Sequence, residues 1–139
     1  MRILGLDVGD KTIGIALSDE LHLIAQAFEV IKRSSLTKDF NRVGEIAREY
    51  QVERVIVGLP LEMSGKEGKQ AKKVIEFIAK LCRKVKLPVE TWDERLTTSA
   101  AERHLLEANL PRAKRKQIIH KVAAQEILQG YLDCQKQLK

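Results

Sequence analysis

The opening run MRILGLDVGDKTIGIALS constrains the fold more than any other stretch of the chain. Ile3, Leu4 and Leu6 have the pattern of a short buried strand, and Asp7 stands at its end. Val8, Gly9, Asp10 and Lys11 follow, and a second apolar run then passes through Ile13, Gly14, Ile15, Ala16 and Leu17. This predicts a hairpin that carries a carboxylate at the tip of its first strand. Gly9 permits a tight turn, and Gly14 leaves one strand position without a side chain, open to close approach. An acid on a rigid strand beside bare backbone suits a divalent cation and a phosphate.

The rest of the chain alternates between strand and helix patterns. A third strand, Ile24 to Ile31, continues the hairpin into an antiparallel meander. Ser34, Ser35 and Thr37 are turn or N-cap residues, and Phe40, Val43, Ile46, Ala47 and Tyr50 recur at helical spacing. VERVIV (52–57) is a β-branched strand leading to Gly58-Leu59-Pro60, and Leu61 to Gly68 is an aperiodic loop with two glycines. Ala71, Val74, Ile75, Ile78, Leu81, Cys82 and Val85 mark the apolar stripe of a long helix. A short strand follows over Val89 to Trp92. Thr97 or Thr98 caps a helix carrying Ala101, Leu105 and Leu106. Pro111 breaks the chain, and a final helix from about Lys114 carries Ile118, Ile119, Val122, Ala123, Ile127 and Tyr131. The expected fold is α/β: a five-stranded mixed sheet, three strands antiparallel and two parallel, flanked by helices. No repeat, linker or low-complexity tract divides the chain, so residues 1–139 read as one domain.

Crossover connections bring the ends of the first, fourth and fifth strands to one edge of such a sheet, the edge where sites form. Asp7, Glu62 and the pair Asp93-Glu94, followed by Arg95, all fall there. Clustered carboxylates repel unless a cation neutralises them, and oxygen ligands suit Mg²⁺ or Mn²⁺. Such ions support phosphodiester hydrolysis by stabilising the attacking and leaving oxygens. Glu62 alone reads as a solvated loop charge or a cap. Asp7 reads as a site residue, because an acid ending a buried strand beside two glycines has no evident packing role.

The chain has 25 Lys and Arg against 19 Asp and Glu, a net charge of +6. That excess fits a polyanion partner, and it also fits a solvated basic surface. The run Arg112, Lys114, Arg115, Lys116, placed before the last helix, has the same two readings: solvated face, or grip on a phosphate backbone. Aromatics make up only 4% of the chain, so contact with backbone or shape is expected rather than base stacking. His120 follows Ile119 on the last helix; a lone histidine is more often structural or exposed than a ligand. His22 and His104 read as structural. Cys82 and Cys134 form no metal-binding pattern and fit a reducing compartment, Cys82 as a packing residue. No signal segment or membrane-length apolar run is present, so a soluble cytoplasmic protein is expected.

Several blocks together resemble the YqgF family. They are Asp7-Val8-Gly9 with Ile13-Gly14, and Val57-Gly58-Leu59-Pro60-Leu61 with Gly65. Asp93-Glu94-Arg95-Leu96-Thr97-Thr98, Ala101-Glu102, and Ala123-Ala124 with Ile127-Leu128 complete the set. The resemblance runs from Met1 to about Tyr131, and the GLPL and DERLTT blocks carry most of its specificity. It implies a ribonuclease H-like fold and a nuclease for the 5′ end of pre-16S ribosomal RNA, or an enzyme similar to Holliday junction resolvases. It places Asp7 as the first metal-binding acid and Glu94, beside Asp93, as the second. The family carries an Asp on the last helix, ahead of its Ala-Ala pair; His120 occupies that place here. Glu62 stands where the family commonly has Asn.

The resemblance thus implies Mg²⁺- or Mn²⁺-dependent phosphodiester hydrolysis. Asp7, Glu94 and His120 would be metal ligands and Asp93 would orient a ligand or water. Lys11, Arg95 and Arg112, Lys114, Arg115 and Lys116 would hold phosphates. The expected partner is nucleic acid, pre-rRNA or branched DNA, in contact with a ribosome precursor and with no membrane. The protein would act as a monomer or homodimer. A non-catalytic RNA-binding assembly factor, with His120 as the mark of lost chemistry, is the reading from another class. An actin-like ATPase is a weaker one, since that fold normally needs two such domains.

Overall fold

The computed structural model describes residues 1–96 and 112–137. Five strands form one sheet in the order β3-β2-β1-β4-β5. They are β1 (Arg2–Val8), β2 (Thr12–Ser18), β3 (Ala25–Lys32), β4 (Val52–Leu59) and β5 (Val89–Asp93). β1 to β3 are an antiparallel meander, while β4 runs parallel to β1 and β5 parallel to β4. The mixed five-stranded sheet expected from the sequence is therefore the observed one. The helices are α1 (Leu36–Glu49), α2 (Lys69–Val85) and α3 (Arg112–Gln137), and a 3₁₀ turn (Glu94–Leu96) follows β5 directly. The helix expected after Thr97 or Thr98 lies outside the described residues.

Strand alternation sorts the sheet into two faces. Leu4, Leu6, Val8, Ile13, Ile15, Val55 and Val57 point to one face, where Phe40, Val43 and Ile46 of α1 and Val74, Phe77 and Leu81 of α2 cover them. Ile3, Ala16 and Ile56 point to the other, under Ala124, Ile127, Leu128, Tyr131 and Leu132 of α3. Burial of one such Leu or Ile is worth about 1.5–3 kcal/mol, so each helix is fixed mainly by its stripe.

The α3 face is unusual for its small residues. A methyl group on Gly14 would overlap the carbonyl oxygen of His120. One on Gly5 would lie 2.8 Å from Leu128 Cβ, and one on Gly58 would meet Ile127. The bare surface at Gly14, expected to allow close approach, seats the α3 backbone.

Several boundaries and stripes differ from expectation. α3 starts at Arg112, so the basic run lies within its first turns rather than ahead of it. Basic residues are disfavoured at the positive end of a helix dipole, which is why the pattern reads as a later start. Its buried stripe is Ala123, Ala124, Ile127, Leu128, Tyr131 and Leu132; Ile119 and Val122 are half-buried. In α2, Phe77 fills the core, and Ile75 and Cys82 are exposed, because the stripe is rotated toward Phe40, whose ring meets Phe77 edge to face at 5.1 Å. Cys82 is thus not a packing residue.

Local bonds set the ends of these elements. Ser35 caps α1 by accepting from the Lys38 amide at 3.2 Å. The exposed edge of the sheet is held by Arg42, which grips Glu29 of β3 in a fork at 2.8 and 2.6 Å. On the α3 side, Gln129 Oε1 accepts from the Ala25 amide and Gln125 donates to the Ala25 carbonyl, which ties the helix to the start of β3.

Candidate active site

β1, β4 and β5 are parallel, so their last residues share one edge of the sheet. Asp7 lies there, paired across the hairpin with Gly14. Residues directly opposite in an antiparallel pair share a face, so Asp7 faces α3. His120 meets it: His120 Nδ1 is 3.3 Å from Asp7 Oδ2, with the carboxylate 19% and the imidazole 30% exposed. His120 is one helical turn before Ala123 and Ala124, so it continues the buried stripe of α3 to the sheet edge. In the sequence, only the family resemblance puts His120 in the site; its pattern alone reads as structural or exposed.

Glu94 arrives from the other side. Leu6 pairs with Val57, so Asp7 and Gly58 come next in register on adjacent strands. A Cβ on Gly58 would lie 2.7 Å from Glu94 Oε1, which places that carboxylate over β4, one strand from Asp7. Glu94 has further interactions of its own. The site edge therefore gathers Asp7, His120 and Glu94 on the face covered by α3.

Asp93 is engaged elsewhere. Its carboxylate accepts from Arg95 Nε at 3.0 and 3.1 Å, from Arg95 Nη2 at 2.6 Å and from the Arg95 amide at 3.0 Å. The Arg95 side-chain bonds, more than its backbone N–H, hold the Asp93 carboxyl below the usual carboxylate range, against the opposing effect of burial. Arg95 Nη1 also donates to the Met63 carbonyl at 3.3 Å, and Gly65, at φ +88°, lies beneath the guanidinium. Arg95 thus straps the 61–68 loop to the turn that carries Glu94. The loop closes on itself through Gly65 N–H to Glu62 O at 2.8 Å and Glu62 N–H to Lys66 O at 3.0 Å. The Glu62 carboxylate lies over Gly68, the N-cap of α2, where a negative charge suits the helix dipole.

A second brace stands behind Asp7, and nothing in the sequence pattern marks it. Arg33 Nη1 donates to the Gly9 carbonyl at 2.8 Å, and Arg33 Nε reaches the buried Asp39 at 3.3 Å. The Arg33 amide donates to Lys11 O at 2.9 Å. The β1–β2 turn is thereby fixed to α1. Lys11 is exposed on that turn, and Arg112, Lys114, Arg115 and Lys116 occupy the first turns of α3.

The donor set bears on a metal ion. Among the described residues no three His, Cys, Asp or Glu side chains form a ready-made cage. Mg²⁺ asks less of a protein: one or two carboxylates, with water and substrate phosphates completing the shell. Asp7 and Glu94 meet that requirement, with His120 bonded to Asp7.

A sheet in the order β3-β2-β1-β4-β5, with acids at the ends of β1 and β5 and a closing helix across them, has the ribonuclease H-like architecture. The solved structure of Thermus thermophilus RuvC in complex with a Holliday junction substrate shares this fold. Its TM-score is 0.61 at 18% identity, over 98% of this chain and 96% of that one. The chain belongs to the RuvX family, also called YqgF, whose model is described as Holliday junction resolvase and matches residues 1–134. It is 57% identical over 133 residues to a protein of Desulforamulus reducens, covering 96% of this chain and 97% of that one. It is 58% identical over 134 residues to one of Symbiobacterium thermophilum, covering 96% and 93%. Both relatives bear the name "Putative pre-16S rRNA nuclease".

Proposed function

We propose that this protein is a nuclease that hydrolyses phosphodiester bonds in the 5′ extension of precursor 16S ribosomal RNA. The observation that carries this is the meeting of Asp7, from the end of β1, with His120 of α3 at 3.3 Å, on the face where Glu94 lies over the neighbouring strand. Membership of the RuvX family and the name shared by its close relatives supply the reaction class and the substrate.

Asp7 and Glu94 are the residues that would hold Mg²⁺ or Mn²⁺. A cation bound there supplies charge for the attacking and leaving oxygens of the phosphodiester. Asp7 also orients His120. A neutral imidazole that donates from Nδ1 to Asp7 keeps Nε2 as a proton acceptor for an attacking water. His120 is therefore assigned to hold a proton in this arrangement, rather than to repeat the third acid of its relatives. Asp93 acts through Arg95, as the anchor of the loop. Lys11, Arg95 and the Arg112–Lys116 run supply positive charge around the edge for phosphates.

In this reading the 139 residues act as one domain in the cytoplasm, in keeping with a ribosomal RNA substrate. Branched DNA is the second reading, favoured by the resolvase description of the family model. Incubation with 5′-extended 16S precursor RNA and with a four-way DNA junction, each in Mg²⁺, Mn²⁺ or EDTA, separates the two. Metal-dependent cleavage of the RNA with an intact junction is the expected result. Cleavage of the junction alone favours the resolvase reading, and binding without cleavage of either favours an assembly factor.

A further inference from the structure

Among the described residues, exposed positive charge is dense on α2. Lys69, Lys72, Lys73, Lys80, Arg83 and Lys84 are all exposed, and Glu76 is the one acid among them. At about 100° per residue, all six cations and Glu76 fall within an arc of about 120°, on the side of the helix turned away from the buried stripe of Ala71, Val74, Phe77 and Leu81. Among the described residues, several arginines elsewhere are paired with acids: Arg33 with Asp39, Arg42 with Glu29 and Glu45, Arg54 with Glu90, Arg95 with Asp93. Among the described residues, Lys73 alone of the six makes an ion pair, a 3.5 Å contact with Asp10 between two well-exposed side chains. Such pairs contribute little and yield readily to a competing anion.

The placement of this stripe has direction. α2 begins at Lys69, directly after the 61–68 loop that Arg95 ties to the turn carrying Glu94. Lys73 reaches Asp10 on the β1–β2 turn, next to exposed Lys11 and three residues beyond Asp7. The helix then runs back along the sheet for 17 residues, about 25 Å, the rise of about seven base pairs. Lysines on an exposed helix face touch phosphates without reading bases.

We infer that α2 is a track for the phosphodiester backbone of the substrate outside the cleaved bond, entered from the site edge past Lys11 and Lys73. This rests on the nuclease reading and extends it. The bound chemistry is a nucleic-acid backbone, whether an RNA helix or a duplex arm of a junction.

The test is salt-dependent binding in EDTA, followed by fluorescence anisotropy, with a 5′-extended 16S precursor fragment and with a four-way DNA junction as probes. Three proteins of full length are compared. They are wild type, the triple variant Lys72→Gln, Lys80→Gln, Arg83→Gln, and a control of equal charge change, Lys32→Gln, Lys38→Gln, Arg48→Gln. Loss of three contacts lowers the slope of log affinity against log salt by about 2–3 in the α2 variant, with affinity at low salt down at least on the order of tenfold. The control keeps the wild-type slope. The charge-preserving variant Lys72→Arg, Lys80→Arg, Arg83→Lys also keeps it, which separates charge from folding. Equal slopes for the α2 and control triples overturn the track, as does an unchanged slope, which leaves the face to an acidic protein or to water. The probe that shows the α2 effect identifies the substrate as RNA or DNA. Cleavage assays on the same proteins separate the two claims. A wild type that binds along α2 yet cleaves neither probe refutes the nuclease reading alone, and one that cleaves with α2-independent binding refutes the track alone.

Discussion

The His120 ring lies 3.3 Å from Asp7 because the backbone of the same histidine rests on Gly14, the residue that faces Asp7 across the hairpin. One missing side chain thus sets the distance between a helix and a strand, and with it the geometry of the two polar groups. Gly14→Ala puts a methyl group into the His120 backbone carbonyl, where no rotamer change gives relief. We expect a loss of about 1–3 kcal/mol of stability, as in an overpacked core, and a loss of cleavage larger than that destabilisation explains. Thermal melting and cleavage rates measured well below the melting temperature check this. A variant with wild-type rates would show that the helix need not lie so close.

Arg95 holds the 61–68 loop through the Met63 carbonyl while its charge is met by Asp93. Arg95→Lys retains a charge but loses the fork that binds both. Faster limited proteolysis at Lys66 in the free protein is the expected outcome, with Asp93→Asn intermediate. An unchanged digestion rate in Arg95→Lys would mean that the loop is held by its own turn.

The sheet was legible from the sequence because its signals are local. Alternation in 2–8 and 12–18, the β-branched run VERVIV and the glycines around them fix strand identity before any packing is known. Asp7 was legible for the same reason, as an acid at the end of an apolar run. The bracing of the site was not. Arg33 and Gly9 are 24 residues apart and Arg95 and Met63 are 32 apart, and their bonds depend on register and loop path rather than on pattern. Gly14 was read correctly as a place of close approach, but the partner is a helix backbone, which no single-strand pattern encodes. The rotation of α2 that buries Phe77 and exposes Cys82 follows from the position of Phe40 on a different helix.

Glu29 and Arg42 give a pH prediction. The side-chain bonds of Arg42 hold the Glu29 carboxyl below its ordinary value, about 4.3, despite partial burial. A carboxyl with a lower pKa when folded stabilises the protein above its unfolded pKa and loses that contribution as pH falls through the folded value. Wild type should exceed Glu29→Gln in stability by about 0.2–1 kcal/mol at pH 7, with the gap closing below about pH 4. Urea melts of both proteins from pH 7 to pH 3 would reveal this, and a gap that is constant with pH would contradict it.

The central claim is that Asp7 carries the chemistry. The direct measurement is the single-turnover rate at which wild type and Asp7→Asn cleave a 5′-extended 16S precursor RNA in saturating Mg²⁺, with Mn²⁺ in parallel. The carboxamide keeps the shape and can still accept from His120, while it removes the charge. The account predicts a fall on the order of 10²-fold or more, equivalent to about 2.7 kcal/mol of transition-state stabilisation, with melting temperature in EDTA unchanged or raised. Equal rates for the two proteins in both metals would contradict it.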